Sequence, residues 1–94
     1  RCHGEAVNVE FDEEVTVQQA LEAWEAAPGV TVMDDVARAE YPMPGLLAGT
    51  DGVYVGRVRR DPSVPHGLAF WNVADQIRKG AALNAVQIAQ LLLP

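Results

Sequence analysis

The chain has 94 residues, 49% of them hydrophobic and 21% charged, enough for one small globular domain with a single core. The formal net charge of -6 argues against nucleic acid as a partner, because phosphate contacts need a basic footprint. The one cysteine, Cys2, has neither a disulfide partner nor zinc-type spacing around it, no run of residues is apolar enough to span a membrane, and no leader is recognisable. These features predict a cytoplasmic protein of a reducing compartment, with no membrane partner and no metal site.

From Glu5 the chain alternates, with Val7, Val9 and Phe11 on one side and Ala6, Asn8 and Glu10 on the other. This is the pattern of a half-buried strand, already under way at the first residues. Asp12-Glu13-Glu14 follows as a solvated turn. Thr16 and Gln19 have the spacing of a capping box, and Val17, Ala20, Leu21, Trp24 and Ala27 recur at helical intervals. They predict a helix over 16–27, stopped by Pro28-Gly29. Val30 to Met33 is a short strand.

From there to Gly52 no pattern holds. Tyr41-Pro42-Met43-Pro44-Gly45 can continue neither a helix nor a central strand, and so long a connection is expected to serve function or an interface. Alternation resumes from Val53 to Arg60, placing Val53, Val55, Arg57 and Arg59 on one face and Tyr54, Gly56, Val58 and Arg60 on the other. The segment from Asp61 to Gly67 is a rigid turn with His66 at the surface. Leu68 to Ala74 reads as a strand buried on both faces. From about Asp75 to Leu93, Ile77, Ala81, Ala85, Ile88, Ala89 and Leu92 predict a closing helix, weakened at Gly80. The order predicts an α+β fold: a mixed, mostly antiparallel sheet with helices on one face and a closing C-terminal helix.

Three places could carry chemistry. His3 is one, since an imidazole with an ordinary pKa of about 6.5 takes up and returns a proton at neutral pH, although a strand histidine is commonly just a surface residue. Cys2 beside it should point to the opposite face and behave as a small buried hydrophobe. The basic residues Arg57, Arg59, Arg60, Arg78 and Lys79 could form an anion site or simply neutralise nearby carboxylates. Asp75-Gln76 offers backbone N–H groups and a side-chain amide to a ligand, or a plain N-cap by Asp75.

Four stretches change the weighing: RCHGEAV at 1–7, VGRVRRDPSVP at 55–65, NVADQ at 72–76 and RKGAALNAVQIA at 78–89. In this order they resemble the C-terminal part of bacterial aspartate-semialdehyde dehydrogenase, over essentially the whole chain. The resemblance implies that 1–94 is the C-terminal part of a catalytic and dimerisation domain whose NADP-binding domain lies outside this chain. It implies NADPH-dependent reductive dephosphorylation of L-aspartyl 4-phosphate to L-aspartate 4-semialdehyde, on the route to lysine, threonine and methionine. His3 then matches the family's proton acceptor and donor, and Gln76 a position against the nicotinamide half of NADP.

Gly4 departs from the usual serine after that histidine. Cys2 does not match the nucleophile, which with a substrate-binding arginine belongs upstream. A homodimer or homotetramer is implied, with the closing helix packed toward the cofactor domain, and the length of the 33–52 loop by itself leads one to expect it near the interface. The chain alone is expected to be inactive and to hold no cofactor. The alternatives are a related N-acetylglutamyl-phosphate reductase and a non-catalytic dimerisation module.

Overall fold

A computed structural model describes all 94 residues. Four strands form one sheet: β1 (His3–Glu10), β2 (Val30–Val32), β3 (Val53–Asp61) and β4 (Gly67–Ala74), in the spatial order β1-β4-β3-β2. β4 is central and antiparallel to both β1 and β3, while β2 joins the far edge parallel to β3. This is the mixed, mostly antiparallel sheet that the sequence predicts. The run 68–74, apolar but for Asn72, takes the middle position, where a strand is covered on both sides: Leu68, Ala69 and Val73 are buried.

Register assigns the two faces, because directly paired residues share one. His3, Glu5, Val7 and Val9 lie with Ala74, Asn72, Phe70 and Leu68. Helix α1 (Val17–Ala26) packs on this face, its Trp24 ring tilted against Phe70 at 4.9 Å between centroids. Its N-terminus closes as the capping box predicts, Gln19 N–H donating to Thr16 Oγ1 and Thr16 N–H to Gln19 Oε1.

The opposite face carries Gly4, Ala6, Val73, Trp71, Tyr54 and Gly56. The 33–52 connection lies across it and contains an unforeseen element, the one-turn helix α2 (Pro44–Leu47). Pro44 cannot continue a helix, but at the first helical position its missing N–H costs nothing, so it starts one. The packing there is close. Trp71 Nε1–H donates to the Pro42 carbonyl at 2.8 Å, and a Cβ on Gly56 would lie 2.2 Å from the Met33 carbonyl oxygen.

Two expectations need correction. The alternation of β3 does not run through to Arg60, because a bulge intervenes between Gly56 and Arg59. Arg57 sits there in the left-handed region at φ 55°, and Asp34 accepts the Val58 N–H at 2.9 Å. The extra residue puts Arg59 on the Gly56 face and Arg60 on the Val55 face, the reverse of a simple alternation.

The closing helix is also not continuous from Asp75. A π-helical turn over Arg78–Ala82 precedes α3 (Leu83–Leu91), with Gly80 N–H donating to the Asp75 carbonyl and Ala82 N–H to that of Ile77. Its expected core stripe is turned outward: Ile77, Ala81, Ala85, Ile88, Ala89 and Leu92 are all exposed, while Asn84 and Gln87 are half-buried. No helix is long and apolar enough to cross a membrane.

The contact at Gly56 gives a direct test. Gly56→Ala should destabilise the chain by about 1–3 kcal/mol in urea unfolding, since the added methyl meets backbone that cannot yield cheaply. Unchanged stability would mean that the 33–42 segment does not lie on this face.

Candidate functional site

The two candidate residues converge through β1 and β4. His3 opens β1 opposite Ala74, and Gln76 follows two residues beyond the end of β4, so pairing alone brings them to one end of the sheet. They line a single cleft of about 290 Å³ with Glu5, Asn72, Lys79 and Asn84. His3 is solvent-exposed at its rim. The Gln76 carbonyl Oε1 accepts the Cys2 N–H at 2.6 Å, which leaves the amide nitrogen for another partner. Asn72 donates only a long contact of 3.5 Å to Glu5, and its own Oδ1 is buried without a partner.

Asp75 is completely buried, yet fully satisfied. Its Oδ2 accepts the Gly49 N–H at 2.7 Å and Arg1 Nε at 2.9 Å, while Oδ1 accepts the Ile77 N–H at 2.9 Å and the Arg78 N–H at 3.2 Å. The Gly49 N–H above all holds the carboxyl well below the usual carboxylate range; burial opposes it, and the Arg78, Ile77 and Arg1 donors add to it. The plain N-cap expected of Asp75 is therefore present on one oxygen only.

The other candidates separate. Cys2 is buried, and burial pushes its thiol up, away from the thiolate a nucleophile needs. Arg60 pairs with Glu14 at 3.3 Å and Arg78 with Asp51, the neutralising role. Arg57 in the bulge and Arg59 just past it lie beside Tyr41, Met43 and Trp71. Only Lys79 reaches the cleft, donating to Asn84 Oδ1 at 3.2 Å and Gln87 Oε1 at 2.6 Å. His66 is half-buried rather than at the surface, its Nδ1 without a partner. Glu5 and Asn72 were missed as cleft residues, although period two from His3 marks Glu5, and Asn72 is the polar break in an otherwise apolar strand.

A β1-β4-β3-β2 sheet that leaves an apolar helix face uncovered has the form of an assembly domain. The family model described as "Semialdehyde dehydrogenase, dimerisation domain" matches residues 1–79, and the chain belongs to this family. Within it, the chain corresponds to the C-terminal portion of aspartate-semialdehyde dehydrogenases.

The Aquifex aeolicus aspartate-semialdehyde dehydrogenase is 50% identical over 91 residues, which is 97% of this chain and 27% of that protein. The Synechocystis sp. protein of the same name is 53% identical over 93 residues, covering 99% and 28%. Among solved structures, aspartate semialdehyde dehydrogenase II from Vibrio cholerae, complexed with ASA, superposes with a TM-score of 0.87 at 43% identity, covering 97% of this chain and 26% of that one. The chain thus spans about a quarter of the length of the relatives it matches.

The depressed acidity of Asp75 has a definite sign. Folding favours its ionised form, so the stability it adds is fully present above about pH 4, the unfolded carboxylate range, and is lost as pH falls from there toward the lower native value. Urea unfolding across this acid range should show a shallower loss of stability in Asp75→Asn than in wild type. Parallel curves would remove Asp75 from the acid response.

Proposed function

We propose that this chain supplies the acid–base histidine and one cofactor contact of an aspartate-semialdehyde dehydrogenase, the NADPH-dependent reductive dephosphorylation of L-aspartyl 4-phosphate. An N-terminal nucleotide-binding domain and a nucleophilic cysteine outside these residues complete it. The observation that carries the reading is that His3 and Gln76, 73 positions apart in sequence, line one cleft. His3 accepts and returns the proton at the cleft rim, exposed enough to meet a substrate held by the rest of the enzyme. NADPH, when bound, supplies the hydride.

The cleft fits a carboxamide at the point where it has a spare donor. With Oε1 committed to the Cys2 N–H, the Gln76 amide nitrogen would be the group to donate to the carboxamide carbonyl of a bound cofactor. The fixed carbonyl also settles which variants inform. In a full-length enzyme carrying this segment, His3→Ala and His3→Asn should lower turnover by about 10²–10⁴-fold. Gln76→Glu keeps an acceptor for Cys2 but loses the donor, and Gln76→Ala loses both. Each should raise the apparent NADPH constant modestly, because a neutral hydrogen bond is worth about 0.5–1.5 kcal/mol net. Wild-type turnover in the His3 variants, or unchanged cofactor affinity in both Gln76 variants, would break the respective assignment.

Assembly follows from two uncovered apolar surfaces. One is the 33–52 segment, where Val36 is 92% and Leu46 73% exposed; the other is the outward stripe of α3, ending in Leu91, Leu92 and Leu93. The first is proposed as the contact of a homodimer, itself able to pair into a homotetramer, and the second as the seat of the nucleotide-binding domain. Leu46→Asp should shift the full-length enzyme toward the monomer in sedimentation velocity. An unchanged dimer would place the interface elsewhere.

A further inference from the structure

The residues ahead of His3 are held unusually firmly. Cys2 lies in the left-handed region at φ 81° without being glycine or asparagine, a conformation that costs about 1–2 kcal/mol and persists only where surroundings over-determine it. Two neighbours in sequence do the holding. Gln76 Oε1 takes the Cys2 N–H at 2.6 Å, and Asp75 Oδ2 takes the side chain of Arg1 at 2.9 Å. The same Oδ2 holds Gly49, at the end of the connection that crosses the opposite sheet face, while Oδ1 holds the first N–H groups of the C-terminal helical segment.

We propose that Asp75 is a positioning residue for the reaction: one fully buried carboxylate ties the approach to β1, the 33–52 connection and the C-terminal helical segment into a single unit, and so fixes His3 relative to Gln76 across the cleft. This rests on the acid–base reading of His3. The burial of Asp75 makes the tie selective. A fully buried carboxylate takes its hydrogen bonds from the N–H groups packed around it, and removing one of them leaves a buried acceptor short of a donor. A helix cap alone would need neither Arg1 nor Gly49, and would be served equally by asparagine.

That difference gives the experiment, done in a full-length enzyme carrying these residues: its native reading frame, or the Aquifex aeolicus relative with the matching segment exchanged. Asp75→Asn can keep its carbonyl on the Ile77 and Arg78 N–H groups, but it then presents N–H donors to Arg1 and Gly49, which are donors themselves. Its kcat should fall at least about tenfold, since small displacements of a catalytic group are costly. KM for NADPH should move less than kcat, because Gln76 keeps its own bond to Cys2. Arg1→Met should lower kcat in the same direction with the melting temperature little changed, and the double variant should be no worse than Asp75→Asn alone.

Wild-type kcat within about twofold in both single variants, or losses that multiply in the double, would overturn the proposal. If Asp75→Asn does not fold, Arg1→Met decides alone: lowered kcat at unchanged melting temperature supports the tie, and wild-type kcat refutes it. His3→Ala is measured beside them. Full turnover there overturns the acid–base reading and this inference together, whereas a crippled His3→Ala with active Asp75→Asn and Arg1→Met overturns the inference alone.

Discussion

The antiparallel pairing of β1 on β4, with His3 opposite Ala74, is the constraint from which the rest of the cleft follows. Paired strands lie about 4.8 Å apart, so the residue that opens one and the residues that leave the other are neighbours whatever lies between them in sequence. Gln76 therefore emerges beside Cys2, and Asp75 beside Arg1, without a dedicated loop to carry them there. Antiparallel pairing also sets the sides. His3, Glu5, Asn72, Ala74 and Val53 share a face by register alone, which is why the cleft contains five residues from three strands before any helix contributes.

The interior that supports this arrangement is thin. The buried apolar residues are Cys2, Ala20, Val55, Leu68, Ala69 and Val73, and most of them are small. Large apolar side chains lie instead on the 33–52 segment and on α3. Each of them forgoes about 1.5–3 kcal/mol that full burial would contribute, a sizeable amount against the margin of any small domain. A chain with its apolar surface distributed in this way owes part of its stability to what covers it. Membership in a dimerisation-domain family gives that requirement a reason.

Regular periodicity was legible in the sequence, and departures from it were not. The alternation of β1, the capped stripe of α1 and the apolar run of β4 each reflect one strong local preference that tertiary packing reinforces. Arg57, Arg59 and Arg60 misled because a bulge adds a residue without altering composition; the Asp34 carboxylate that holds it open lies more than twenty positions away. The C-terminal stripe was read correctly as amphipathic and wrongly as inward-facing, since periodicity reveals that a face is apolar and not which neighbour it meets. His3 and Gln76 were singled out through resemblance, and the structure adds only that they line one cleft. The bond between Gln76 and Cys2 and the full valence of Asp75 were not legible, because both depend on strand register across 74 positions.

The glycine after His3, where the resembled family pattern has serine, is resolved by the same geometry. Successive strand residues point to opposite faces, so a side chain at position 4 leaves the sheet on the Trp71 side while His3 faces the cleft. A serine hydroxyl there would not reach the imidazole directly. What a Cβ at Gly4 would meet is the indole ring, 2.2 Å from Trp71 Cζ2. Trp71 in turn is committed through Nε1–H to the Pro42 carbonyl, and Pro42 packs over Gly56 on the neighbouring strand. Gly4 thus makes room for the ring and Gly56 for the 33–52 connection that the ring fastens to the sheet. The substitution belongs to the packing of the proposed assembly face, on the side of the sheet away from His3.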